Sequence, residues 1–90
     1  MTSEQNTTLL EFPCRFPIKA MGRNEDGFEA LVTAIVLTHA GLWPDEPVRV
    51  APSKEGTFIS VTAVIEATSQ QQLDSIYLEL SASSQVLMAL

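Results

Sequence analysis

An alternation of apolar and mostly polar positions predicts a long strand over residues 57–67, the clearest strand in the chain. Four apolar side chains fall on every second position and share one face of that strand. They are Ile59, Val61, Ala63 and Ile65. A shorter apolar run at 48–51 predicts another strand, and Pro, Ser and Gly in residues 52–56 favour a turn between the two. The pair therefore predicts a β-hairpin.

Two further strands are predicted near the ends of the chain. Over residues 15–21, Phe16, Ile18 and Ala20 fall on alternate positions and would share one face. We expect Gly22 to end this strand, because glycine weakens strand interiors. The apolar residues 86–90 predict a short final strand.

Helical spacing of apolar residues predicts two helices between these strands. The first would be capped by Asn24 or Asp26 and would stop near Gly41. Its apolar stripe is Phe28, Leu31, Val32, Ile35 and Val36. The second follows Thr68 or Ser69, either of which can form a capping box, with Gln71 or Gln72 three residues later. Its stripe is Leu73, Ile76, Tyr77 and Leu80.

The order β-α-β-β-α-β predicts an α+β, ferredoxin-like sandwich. Right-handed crossovers give a four-stranded antiparallel sheet of order 4-1-3-2 with both helices on one face. We expect residues 9–90 to form this single domain and the polar residues 1–8 to be a disordered tail. The uncovered sheet face would meet water, while Phe58 and Val64 leave room on it for a partner. Its polar members would be Lys19, Arg49, Ser60, Thr62 and Glu66.

Composition argues against several classes of function. The formal net charge is −6 and the isoelectric point about 4.4, which disfavours binding to nucleic acid or to an anionic membrane. The single cysteine, Cys14, cannot form an internal disulfide or a cysteine-cluster metal site. The polar N-terminus does not resemble a secretory signal, so we expect a cytoplasmic protein.

Three stretches of the sequence resemble the YbeD-like family of small bacterial proteins. Residues 12–22 (FPCRFPIKAMG) resemble the family's opening, residues 50–62 (VAPSKEGTFISVT) its hairpin, and residues 67–80 its second helix. Val86, Leu87 and Met88 are similar to its last strand. The resemblance implies a ferredoxin-like fold similar to the ACT regulatory domain. The family has no established activity, and it provides no catalytic residues to transfer to this chain. The acidic turn at residues 22–27 departs from it.

Candidate functional residues are few. No nucleophile and base share a recognisable motif, so we predict no catalytic residues, no metal site and no cofactor. His39 is better explained as a favourable charge at the end of the first helix. By similarity to ACT-like domains, a small ligand would contact the end of the first strand. Those candidate ligand-binding residues are Lys19, Met21 and Gly22, and the candidate interaction residues are Phe58, Val86 and Met88.

These features leave two hypotheses about function. The first is a non-enzymatic regulatory or protein-interaction module that binds an unknown partner or a copy of itself through its sheet or its terminal edge strand. The alternative is a domain that senses an amino acid or related metabolite near Gly22. An enzyme with an unrecognised site would require Cys14 or His39 to lie in a pocket beside a titrating group.

Overall fold

Six elements follow one another in the predicted order in the computed structural model, which describes residues 10–90. The four strands are β1 (Cys14–Arg23), β2 (Arg49–Pro52), β3 (Phe58–Ala67) and β4 (Val86–Ala89). The two helices are α1 (Phe28–His39) and α2 (Gln70–Ala82). The predicted tail at residues 1–8 lies outside the described residues.

The strands form one antiparallel sheet in the order β2-β3-β1-β4, which is the predicted order read from the other edge. The central pair, β1 and β3, is in continuous register from Cys14 opposite Ala67 to Arg23 opposite Phe58. β2 and β4 are four-residue edge strands. The predicted ferredoxin-like fold class is therefore confirmed.

Gly22 lies inside β1, so the prediction that it ends the strand is wrong. It is buried, and a Cβ atom added there would lie 2.4 Å from the Gln85 carbonyl oxygen and 2.5 Å from Cε1 of Phe28. The register with β4 shifts between Met21 and Gly22. Glycine is present because the Phe28 ring and the chain before β4 pack against the strand where a side chain would be.

The predicted cap of α1 is also wrong. Gly27 is the N-cap residue, with a left-handed φ of 88° that favours glycine, and it provides no side-chain hydrogen bond. The Asn24 amide instead donates to the Gly56 carbonyl oxygen (Nδ2–O, 3.0 Å). Asn24 therefore ties the β1–α1 loop to the hairpin turn. The helix ends at His39 with Ala40 as its C-cap, one residue before the predicted stop at Gly41.

The predicted cap of α2 is confirmed at Ser69, whose hydroxyl accepts the Gln72 N–H (3.0 Å). The Gln72 side chain accepts in turn from the Thr68 N–H (2.8 Å) and donates to the His39 carbonyl oxygen (3.0 Å). The Gln72 side chain thus stabilises the start of α2 and links it to the end of α1 by hydrogen bonds.

The core lies between the two helices and one face of the sheet. The helical stripes and the alternate residues of β1 and β3 supply the buried side chains. Those below 2 % exposure include Ile18, Phe28, Val32, Val36, Val61, Ile65, Ile76 and Leu80. Because both helices pack on this inner face, the opposite face of the sheet, here called the outer face, has no helix over it.

Candidate interaction face

The register of the sheet determines which side chains share the outer face. Directly opposed residues of antiparallel strands project to the same side, and Ile18, Ala20 and Gly22 are buried on the inner side of β1. The alternate positions therefore face outward. On β1 these are Arg15, Pro17, Lys19, Met21 and Arg23, and on β3 they are Phe58, Ser60, Thr62, Val64 and Glu66.

The outer face carries four of the five Lys and Arg residues of a chain whose net charge is −6. Arg15, Lys19 and Arg23 follow one another along β1. Arg49 of β2 lies opposite Thr62, which lies opposite Lys19, so the two cations occupy one row across three strands. The sheet therefore concentrates positive charge on the side away from the helices.

Only one of these four cations has an anionic partner among residues 10–90. Arg15 is 2.7 Å from Glu46 (Nη2–Oε1) and lies opposite Glu66. Within the same described residues, no carboxylate oxygen lies within 4.0 Å of the charged groups of Lys19, Arg23 or Arg49. Positive charge at the latter three positions is therefore balanced mainly by solvent.

Exposed apolar side chains lie between these cations. Met88 of β4 is directly opposite Met21 and is 51 % exposed. Leu90, 60 % exposed, exchanges both backbone hydrogen bonds with Lys19. Phe58, 39 % exposed, lies opposite Arg23, whose guanidinium carbon is 5.9 Å from the ring centre. The patch formed by these residues, here called the outer patch, comprises Lys19, Met21, Arg23, Arg49, Phe58, Met88 and Leu90.

A depression of about 140 Å³ adjoins the outer patch beside Phe58. Met21 lines it from β1, and the ends of β2 and β3 line the rest. Ligand pockets usually enclose about 300–1,000 Å³. The depression is thus large enough for a single side chain of a partner and small for a metabolite.

The structure divides the predicted ligand-binding residues between two faces. Lys19 and Met21 belong to the outer face, whereas Gly22 is buried beneath Phe28 on the inner face. A ligand on the outer face would reach the first two and not the third. The ligand-binding role itself stays a prediction.

The predicted interaction residues are divided in a similar way. Phe58 and Met88 lie on the outer patch. Val86 is half-buried and packs against the core instead. Their part in binding also stays a prediction.

Two residues of the outer patch, Arg23 and Leu90, were not among the predicted interaction residues. Ending the first strand at Met21 removed Arg23 from the face to which it belongs. The signal for including it was its odd-numbered position, which continues the alternation of Arg15 and Lys19.

Groups suited to catalysis are dispersed over the described residues. His39 and Glu79 join the two helices through a 2.7 Å contact (Nε2–Oε1), which lies on the helical side and not on the outer patch. Cys14 is half-buried at the start of β1. In residues 10–90, no three His, Cys, Asp or Glu side chains are grouped so as to hold a metal ion.

Neither helix of the described region is long and apolar enough to cross a membrane. The expected cytoplasmic location stays a prediction.

The order of the elements and the topology of the sheet define the chain as an α+β domain of ferredoxin-like architecture. By sequence, the chain belongs to the family described as "Protein of unknown function (DUF493)", whose model matches residues 7–90. The predicted resemblance to the YbeD-like family is thereby confirmed. The family is uncharacterised.

Relatives match the chain along almost its whole length. A UPF0250 protein of Nitrosomonas europaea is 43% identical over 90 residues, covering 100% of both chains. Another, from Chromobacterium violaceum, is 42% identical over 88 residues, covering 98% of this chain and 99% of its own.

A solved structure supports the fold independently. The solution structure of protein HP0495 from H. pylori has a TM-score of 0.70 at 17% identity and covers 100% of this chain and 94% of that one. At this identity, the likeness concerns the fold alone.

Proposed function

We propose that this protein is a non-enzymatic regulatory or interaction module that binds a protein partner through the outer face of its sheet. The observation that carries the proposal is the outer patch, where three exposed apolar side chains lie among cations that lack an anionic neighbour in residues 10–90. Grouped apolar exposure of this kind is typical of interaction surfaces.

The energetics of the patch support binding to a protein. Removing apolar surface from water is favourable by about 25 cal/mol per Å², before the entropic and desolvation costs of association are subtracted. Three side chains of the patch remain partly exposed to solvent in the fold: Phe58 (39 %), Met88 (51 %) and Leu90 (60 %). A partner could therefore bury their apolar surface. Aromatic, methionine and arginine side chains are enriched in protein interfaces.

Site-specific photo-crosslinking in cells tests this proposal. A photoreactive amino acid replaces Phe58 or Met88 on the outer face, and Leu78 serves as the matched control. Leu78 is equally apolar and 74 % exposed, but it belongs to α2 on the other side of the sheet. We expect a discrete cross-linked protein from the two outer positions and none from Leu78.

Two results would count against the proposal. One is a complete lack of protein cross-links from the outer face under conditions in which each variant is folded and abundant. The other is equal cross-linking from Leu78, which would indicate contacts that do not select the outer face.

The alternative function, sensing of an amino acid or related metabolite, is favoured by one feature, the depression beside Met21 and Phe58. We rank this function second because the volume of the depression, about 140 Å³, is below the range usual for ligand pockets. A thermal-shift panel of amino acids, nucleotides and short acyl compounds tests it. A ligand at one hundred times its Kd would stabilise the protein by about 2.7 kcal/mol. A panel without any shift would exclude sensing of those compounds.

A further inference from the structure

The outer face of the sheet carries four cations and one carboxylate, that of Glu66, and this excess of positive charge indicates the kind of partner. Lys19, Arg23 and Arg49 belong to the outer patch, whereas both helices carry acidic residues and no lysine or arginine. Glu29 lies on α1, and Asp74 and Glu79 on α2. In a chain of net charge −6, such an arrangement favours association with anions on one face alone.

The outer patch also has a regular spacing. Arg49 and Lys19 are separated by the β3 strand, which puts their Cα atoms about 10 Å apart. Met21 and Met88 form the next row, about 7 Å further along the strands, and Arg23 lies about 7 Å beyond Met21. An apolar row is thus bounded by cations on both sides.

We propose that the outer patch binds an acidic segment of a partner protein, one that carries apolar side chains between its carboxylates. This inference rests on the proposed function. The apolar side chains of the segment cover Met21, Met88 and Phe58, and its carboxylates pair with Lys19 and Arg49. Charge complementarity of this kind sets the choice of partner and accelerates association.

The patch is less suited to nucleic acid. Recognition of single strands relies on aromatic side chains on which bases stack. Phe58 is the one aromatic side chain of β1–β4 on the outer face, and Arg23 lies against its ring at 5.9 Å. The net charge of −6 adds repulsion towards phosphates.

A second copy is a poorer occupant than a separate partner. Two outer faces packed together would bring two cationic patches against each other, and like charges oppose such an interface. An outer face docked on the acidic helices of another copy is a head-to-tail contact, which forms rings or open filaments.

A selection from a random twelve-residue peptide library displayed on phage, with the full-length protein as bait, tests the inference. We expect the selected peptides to have net negative charge together with apolar residues. Synthetic copies of them are then titrated against Lys19→Glu and Arg49→Glu, with Lys54→Glu as control. All three substitutions change the charge equally, but Lys54 lies in the hairpin turn, outside the patch.

We expect Kd to rise at least tenfold for Lys19→Glu and Arg49→Glu and less than threefold for Lys54→Glu, with folding of each variant checked by circular dichroism. Raising the salt concentration should weaken binding to the unmodified protein, because ions screen exposed charges. Selection of neutral or basic peptides, or equal losses in all three variants, would overturn the inference.

Two further measurements distinguish the other occupants. Tighter binding of a single-stranded oligonucleotide than of the selected peptides would overturn the inference in favour of nucleic acid. Light scattering measures whether the molar mass rises with protein concentration. A rise that is lost in Lys19→Glu would overturn the inference in favour of a second copy as the occupant of the patch. If Phe58 and Met88 cross-link a partner but the selected peptides are not acidic, the proposed interaction module is supported. Only the inference that its partner segment is acidic would then be overturned.

Discussion

Replacing Gly22 by alanine should destabilise the protein strongly, although it adds a single methyl group. The new Cβ would lie 2.4 Å from the Gln85 carbonyl oxygen and 2.5 Å from Cε1 of Phe28, which is 1 % exposed. Ordinary van der Waals contacts begin about 1 Å further out. Either the β1–α1 packing or the chain before β4 must therefore move.

The expected magnitude follows from two opposing effects. Overpacking a well-packed core costs about 1–3 kcal/mol, occasionally more. A Gly→Ala change also raises the free energy of unfolding by about 0.4–1 kcal/mol, because it restricts the unfolded chain. Because backbone atoms form one side of the clash at Gly22, we expect a net loss of about 2 kcal/mol. At about 4–8 °C per kcal/mol for a domain of this size, Tm should fall by about 8–16 °C.

Thermal unfolding followed by far-ultraviolet circular dichroism measures the effect, and Gly41→Ala provides a matched control. A Cβ at Gly41 meets nothing within 4 Å, and its φ lies outside the left-handed region. Both substitutions restrict the unfolded chain equally. The difference between their Tm values therefore measures the cost of the clash at residue 22. Gly41→Ala should have the Tm of the unmodified protein or a slightly higher one.

A Gly22→Ala protein that unfolds within about 2 °C of Gly41→Ala would refute this account of the packing. A double variant adds a second criterion. Phe28→Leu removes the ring atoms nearest to the new methyl group, so its cost and that of Gly22→Ala should be less than additive. Strict additivity would mean that the ring and residue 22 are not in contact.

Three further measurements test other parts of the structure. Ser69→Ala removes the hydroxyl that accepts the Gln72 N–H and should cost about 1 kcal/mol in urea unfolding; an equal loss in Ser81→Ala, which has no capping role, would contradict this. Ile76→Ala removes a fully buried side chain and should cost about 2–5 kcal/mol; a loss below 1 kcal/mol would mean that the core relaxes around it. Burial raises the pKa of Tyr77 above 10.0, so its absorbance should titrate at higher pH in the folded protein than in urea. The stabilisation from neutral Tyr77 is then complete below pH 10 and is lost as the pH rises through the folded pKa; coincident titrations would argue against burial.

The periodicity of the sequence was sufficient to predict the order of the elements and the core. The stripe of α1 buries Phe28, Val32, Ile35 and Val36, and the alternation in β3 buries Val61, Ala63 and Ile65. These patterns are reliable because removing such side chains from water is the largest favourable contribution to folding. Element ends were predicted less well, since they depend on local contacts. The N-cap of α1 is Gly27 and not Asn24 or Asp26, and the Asn24 amide donates instead to the distant carbonyl of Gly56.

Arg23 was left out of the predicted outer face for a related reason. A glycine inside a strand usually weakens it, and a single sequence does not reveal that the Phe28 ring occupies the space beside Gly22. When β1 is predicted to end before Gly22, Arg23 is no longer assigned to the same face as Lys19. The residue opposite Phe58 is then missing from the predicted face. The true end of β1 at Arg23, one residue beyond Gly22, therefore adds a cation to the outer face. Gly22 is the chain neighbour of both Met21 and Arg23, so a shift of β1 in Gly22→Ala should also raise the Kd for the selected peptides in the same titration, even though residue 22 faces the core.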